Sequence, residues 1–348
     1  MRKSAFLRNL RNWEYWPVSA FYVPLLPLYA WLSIRAGHPF FYVAANPGIP
    51  SGGSGFESKY DIIRQIPAKW RPRSILVRAG SQANEILRQL QNAGIVFPVI
   101  AKPDIGFRGL LVEKIARPDA LLKHLGRHHI DFIVQEFIDL PREFSIFYYK
   151  MEGEATGHIT SLTSKEWLTI RGDGKHRLSE LIARHDRARR QTKQLKRYWA
   201  DRWDTVLPDG EHLTLTEIGN HSRGARFINA NALINEELLP PLEELHAAMD
   251  GWYYGRVDLR ARNLDAVKAG DFKIFEINGV LAEPTHIYDQ TTMTYFGALR
   301  EIARHWKILY RVATHNHRVL GVPYDRPGRY IQSVHRLFRY LKHAKRQA

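Results

Sequence analysis

Two short stretches late in the chain carry the side chains best suited to chemistry. Arg256 and Asp258 lie two residues apart, and so do Glu276 and Asn278. Each stretch reads as a strand, and alternate residues of a strand share a face, so Arg256 goes with Asp258 and Glu276 with Asn278. If the strands pair as an antiparallel hairpin, two carboxylates and an amide converge beside a guanidinium. A few hard oxygen donors of this kind suit Mg²⁺, which keeps waters and shares phosphate oxygens. The plain alternative is a solvated acidic face. It accounts poorly for acids set among Val257, Leu259, Ile274, Phe275 and Ile277.

Three earlier segments could serve the same site. The apolar run 97–101 delivers Lys102 into a turn with Gly106 and Gly109, where an ammonium and backbone N–H groups can hold phosphate; a solvated lysine beside a hairpin turn would look similar. The run 131–139 ends near Glu136 and Ile138, and Glu143 enters the next strand. Carboxylates at strand ends read as acceptors for a ligand, or as acids of an edge strand facing water. The glycine-rich stretch 48–55 precedes Ser58 and Lys59, with the wrong order and spacing for a Walker loop. It reads either as a flexible connection or as an anion site at a helix start, with Ser58 and Lys59 assisting. No zinc-type histidine pair on one helix and no Gly-x-Ser-x-Gly elbow is found, and His128 and His129 read as surface residues.

The elements that must position these groups alternate between strand and helix. Strands are expected at 40–45, 73–78 and 97–102, and helices at 57–65, 81–92 (N-cap Ser81), 118–126 and from 178 through the basic run to 202. The first of these make a small parallel unit. At the N-terminus, Arg2, Lys3, Arg8 and Arg11 precede an uncharged aromatic run, 15–34, broken by Pro17, Pro24 and Pro27. Its length is that of a membrane span, but the prolines and the flanking charges favour an interfacial contact, with packing on the chain's own surface as the rival. At the other end, 329–346 is a basic amphipathic helix, either a docking helix or a membrane-surface one.

Composition sets the bounds. The 348 residues allow two or three folding units, and the 25% charged share is that of a globular chain. The absence of cysteine excludes disulfides, thiolate metal sites and cysteine nucleophiles. With 51 basic against 35 acidic residues, the net charge of +16 favours an anionic partner: nucleotide, lipid head group or nucleic acid. Nucleic acid has only charge behind it, since the basic run 184–202 reads more simply as a solvated helix.

A lysine strand with a glycine loop, a glutamate-bearing hinge, Arg142-Glu-Phe-Ser145, then Arg256-x-Asp258 and Glu276-x-Asn278, resembles the ATP-grasp carboxylate–amine ligases. The likeness covers roughly residues 97–303 and is nearest to the D-alanine–D-alanine ligase and cyanophycin-synthetase branches. The stretch 172–181 is similar to the Gly-Asp-Gly-Lys-His segment of the latter. The resemblance implies an α/β (α+β) chain with the ATP-grasp fold and a small preceding α/β domain, divided as 1–38, 39–96, 97–310 and 311–348. It implies that Lys102, Gly106 and Gly109 meet the nucleotide phosphates, Glu136 and Ile138 the adenine and Glu143 the ribose. By the same resemblance Asp258, Glu276 and Asn278 would hold Mg²⁺ (Mn²⁺ substituting), Arg256 would stabilise the transferring phosphoryl group, and Lys165, Lys175, Asn220 and Arg223 would be further ATP contacts. The turn after Asn278 lacks the Pro-Gly of D-alanine ligases, so Glu283, His286 and Tyr288 would read another substrate. The implied activity is ATP-dependent joining of a small carboxylate to an amine, in the cytoplasm, peripheral to the inner membrane face and its anionic surface. An ATP-grasp phosphotransferase and a catalytically degenerate, membrane-associated ATP-binding subunit are the alternatives.

Overall fold

The computed structural model describes residues 13–55, 57–106, 109, 111–217, 219 and 224–346. Two compact units emerge: Met1–Thr163 with Asn229–Ala348, and Ser164–Ile228. The larger unit contains a four-stranded sheet of order β1-β4-β2-β3, formed by β1 (Ser74–Val77), β2 (Val99–Pro103), β3 (Glu113–Ile115) and β4 (Phe132–Glu136). The parallel unit expected here is not formed. β1 and β2 both run antiparallel to β4, which lies between them. The strand–helix–strand pattern gives β1 and β2 one direction but leaves a gap between them that β4 fills. Val99 and Ala101 point to the apolar side, packed with Ile86, Leu90 and Leu121 of the covering helices. Period two therefore sends Lys102 to the other side.

A second sheet has the order β11-β10-β5-β6-β9, from β5 (Arg142–Tyr149), β6 (His158–Glu166), β9 (Arg226–Asn229), β10 (Tyr254–Ala261) and β11 (Phe272–Asn278). One face is the main core: Phe144, Ile146 and Tyr148, then Val257, Leu259 and Ala261, then Phe272, Ile274 and Ile277, against Ile62, Ile63, Trp70, Leu242 and Leu245. The smaller unit carries β7 (Leu168–Arg171) paired with β8 (His212–Thr216), over a core of Leu178, Ile182, Leu195 and Leu207. Its basic stretch is not one helix. Leu178–Arg184 stops where the His185 ring accepts the backbone N–H of Ala188 at 3.1 Å, and a second helix runs Thr192–Tyr198.

The apolar run expected as a first strand is instead a 3₁₀ helix, Phe41–Ala45. Its carbonyls are not presented to a strand: those of Ala44 and Ala45 accept the Asn316 amide at 3.1 and 3.2 Å, from the long helix Tyr295–Val319. A six-residue apolar run cannot tell a buried helical turn from a strand by periodicity. The glycine stretch after it is neither a phosphate loop nor slack. Gly53, at φ 82°, lies against Gly279, where a Cβ on either glycine would come within 2.7 Å of the other's Cα. The Val280 N–H reaches the Gly52 carbonyl at 3.1 Å. Two backbones meet at the end of β11 with no side chain between them. Gly279→Ala is expected to lower stability by about 2 kcal/mol or more, read as a shift in the denaturant midpoint; an unchanged midpoint would show that this approach can relax.

Candidate active site

β10 and β11 pair antiparallel, with Arg256 opposite Asn278 and Asp258 opposite Glu276. Counting by twos along β11 would put Glu276 and Asn278 on the face of Phe272 and Ile274, inside the core. The register prevents this. It shifts between Asp258↔Glu276 and Leu259↔Ile274, making Phe275 the extra residue of a β-bulge. After the bulge the parity reverses, so Glu276 and Asn278 join Arg256 and Asp258 on the polar face.

Asp258 is 2% exposed and fully engaged. Arg256 grips it through Nε at 3.1 Å and Nη2 at 3.0 Å, Asn278 Nδ2 donates at 2.9 Å, and Ser145 Oγ donates from the neighbouring β5. Ser145 escaped the sequence reading, although period two already places it on the Glu143 face of β5 and its register partner is Asp258. Glu276 forms an ion pair with Lys59 of the helix Lys59–Gln65. Burial pushes the Glu276 carboxyl up, but the charge and hydrogen bond of Lys59 together with the Lys102 charge leave it below the usual carboxylate range.

Lys102 arrives from the other sheet of the same unit. Its ammonium donates to the Phe275 carbonyl at 2.8 Å, which is the bulged residue, and to Gln135 Oε1 at 3.2 Å. Burial pulls its pKa down to about 8; the Glu276 charge opposes the fall and the Lys59 charge adds to it. Lys59, Lys102, Arg256, Asp258, Glu276 and Asn278 thus form one connected polar cluster. Among the described residues no group of three or more histidine and acidic side chains is gathered as a metal cage. The donor chemistry nonetheless suits Mg²⁺. Glu276 and Asn278, two apart on one face, each keep a side-chain oxygen (Oε2 and Oδ1) that takes no hydrogen bond among the described residues, with Asp258 adjoining.

The other expected residues divide. Ser58 caps its helix and donates to Asp104 at 2.9 Å, and the Asp104 carboxylate also takes the Tyr60 N–H at 2.9 Å. The protein's own Asp104 fills the helix start at which an outside anion was expected. Glu283 takes the hydroxyls of Tyr22 and Tyr288, and its carbonyl accepts Arg256 Nη1 at 3.0 Å, so the turn after β11 is tied to the site. His286 is buried behind that turn against Ser161 at 2.7 Å, where burial lowers its pKa to about 4. Glu136 holds the backbone and guanidinium of Arg73 at 2.8 and 2.7 Å. It lines, with Phe137 to Leu140, Phe272 and Lys273, a cleft of about 410 Å³. Glu143 is 3% exposed and ion-paired with Arg260, whose Nη1 also donates to the Ile138 carbonyl at 2.9 Å.

Gly106 and Gly109 lie in the turn after β2, with φ of 158° and 70°. Lys165 and Lys175 belong to the smaller unit. Lys165 is buried with its ammonium 5.3 Å from the Phe227 ring centre, and Lys175 is exposed. Asn220 and Arg223 lie outside the described residues. His128 is not on the surface: it is 7% exposed and faces His124, four residues earlier, with ring centres 5.0 Å apart. Glu113 pairs with His124 at 2.8 Å.

No family model and no curated protein matches the chain. Among solved structures it is similar to the VanG D-Ala:D-Ser ligase of Enterococcus faecalis, with 11% identity over 76% of this chain and 64% of that one and a TM-score of 0.43. It is similar also to D-alanine–D-alanine ligase of Bacillus anthracis, with 12% identity, 76% and 68% coverage and a TM-score of 0.42. A bifunctional glutathione synthetase of Pasteurella multocida follows, with 16% identity, 73% and 36% coverage and a TM-score of 0.36. These are ATP-grasp carboxylate–amine ligases, the class to which the motifs pointed. The chain spans less than two thirds of the first and of the synthetase. Likeness at this level carries no argument about activity.

Proposed function

We propose that this chain is an ATP-dependent carboxylate–amine ligase of the ATP-grasp type. The observation that carries the reading is that the bulge at Phe275, whose carbonyl takes the Lys102 ammonium, brings Arg256, Asp258, Glu276 and Asn278 to one polar face. A carboxylate attacks the γ-phosphorus of ATP only when positive charge screens the approach of two anions. Lys102, Lys59 and Arg256 supply that charge. Glu276 and Asn278, with Asp258 beside them, would hold Mg²⁺, which when bound would neutralise phosphate oxygens. The cleft beside Glu136–Leu140 is of a size for a purine, and ligand sites commonly run from about 300 Å³ upward.

The attack forms an acyl phosphate and releases ADP. An amine then adds to the acyl carbon, and collapse expels inorganic phosphate, forms the amide and releases a proton. Arg256, bonded to the carbonyl of Glu283, positions the substrate turn over this centre. A phosphotransferase would instead leave the phosphoryl group on its acceptor.

The test is phosphate release from Mg-ATP against paired acids and amines, with isothermal titration of ATP alongside. Lys102 gives the reading a pH signature. Its folded pKa of about 8 lies below the usual lysine value, so the ammonium needed to hold phosphate is lost as pH rises through 8. ATP affinity is expected to fall across that range. The same depression means that the buried charge disfavours folding below pH 8, a penalty relieved as pH rises further. Lys102→Met is expected to abolish ATP binding, while relief of the buried charge offsets part of the stability lost with its bonds to Phe275 and Gln135. Retained ATP affinity in that variant would remove the phosphate-binding role.

A further inference from the structure

The helical segment Val18–Ala36 is long and apolar enough to cross a membrane by length and composition, yet only 17% of it is buried. Its prolines do not break it: Pro17 is an N-cap, Pro24 sits in the first turn of a 3₁₀ stretch, Val23–Leu25, and Pro27 in the first turn of the helix Leu26–Ala36. One side is committed to the protein. Phe21 and Leu25 pack with Ile287, Ala298 and Ile302, and Leu32 packs with Phe41, Ile308 and Val312. A span would have to pull these three residues out of the core. The other side presents Val18, Val23, Leu26, Trp31 and Ile34, the last 79% exposed. An outward row of this kind marks an interaction surface.

We propose that this face docks in the headgroup region of an anionic bilayer, lying on the membrane and not across it. The chemistry of the surroundings selects that occupant. No charged side chain interrupts residues 15–34, and Arg35 stacks on Trp31 at 5.0 Å, an aromatic and a cation at the edge of an apolar strip. The segment 38–42 that follows leads directly to the C-terminal helix Pro327–Arg346, where Tyr330 stacks on Phe40 at 4.3 Å. That helix contains no acidic residue and exposes Ile331 and Phe338 among Arg329, Arg336, Arg339 and Lys342. A second copy of this chain would bring +16 against +16, whereas anionic lipid complements it. On the ligase reading, the Tyr22–Glu283 bond sets the substrate turn beside the docking face.

Full-length protein is sedimented with phosphatidylcholine vesicles, with and without phosphatidylglycerol, and compared with the variant carrying Val23→Asp and Ile34→Asp. Both positions are exposed, so the melting temperature is expected to hold while partition onto anionic vesicles falls by about tenfold or more. Arg336→Glu with Arg339→Glu is expected to remove the preference for anionic over neutral vesicles, as is raising salt toward about 1 M. Four outcomes overturn the proposal: no uptake by vesicles, uptake unaltered in the Val23/Ile34 variant, equal uptake by neutral vesicles, or a solution dimer that this variant dissolves. Vesicle binding is read without turnover, so its failure leaves the ligase reading standing.

Discussion

Asp258→Ala is expected to destabilise the larger unit by about 3–5 kcal/mol, the range found when one partner of a buried ion pair is removed. Both carboxylate oxygens are engaged, with Arg256 on each, Ser145 on one and Asn278 on the other. Truncation leaves the Arg256 guanidinium, itself only 16% exposed, without its counter-charge. Desolvation pushes the guanidinium toward neutrality, and Asp258, joined by the charges of Glu276 and Glu283, more than offsets this at present. Denaturant unfolding measures the loss. Removing Arg256 as well should restore part of it, because the stranded charge goes too. If Asp258→Ala unfolds at the native midpoint, the carboxylate does not anchor this face. Loss of turnover in this variant alone would not isolate a catalytic role, since the fold suffers with it.

Glu276→Ala separates the two. Its side chain is 30% exposed and its partner Lys59 is 20% exposed, so water can solvate what the truncation leaves. Stability should change little, while ATP-dependent phosphate release falls by about 10²–10³-fold or more, as expected when a group that organises phosphate charge is lost. A second readout follows from electrostatics. The Glu276 charge is what resists the burial-driven fall in the Lys102 pKa. Without it Lys102 becomes neutral below pH 8, and the upper limit of ATP binding moves to lower pH. Turnover within a few fold of native, with an unmoved pH limit, would take Glu276 out of the site.

Much of this site is legible in the order of residues. Period two along β10 already joins Arg256 to Asp258 and, along β5, Glu143 to Ser145. The antiparallel pairing expected from two strands joined by a short connection is the pairing formed. The segment 118–126 lies within the helix Pro118–Arg127, and 329–346 within Pro327–Arg346, because amphipathic spacing over many turns is a strong local signal. Short apolar runs fared otherwise. Within 40–45, Phe41–Ala45 forms a 3₁₀ helix, and Asn316, far along the chain, donates to the carbonyls of Ala44 and Ala45.

What the order of residues determines by itself is which side chains can share a face, and hence that oxygen donors and cations of this kind could meet. Which face Glu276 occupies depends on one extra residue in the register, Phe275, and parity alone assigns it to the core. A bulge is settled by register against a neighbouring strand, and the bulge here is met by distant segments: Lys102 on the Phe275 carbonyl, Gly53 against Gly279, and Lys59 reaching Glu276. Those contacts exist only once the chain has closed on itself, so tertiary structure decided them.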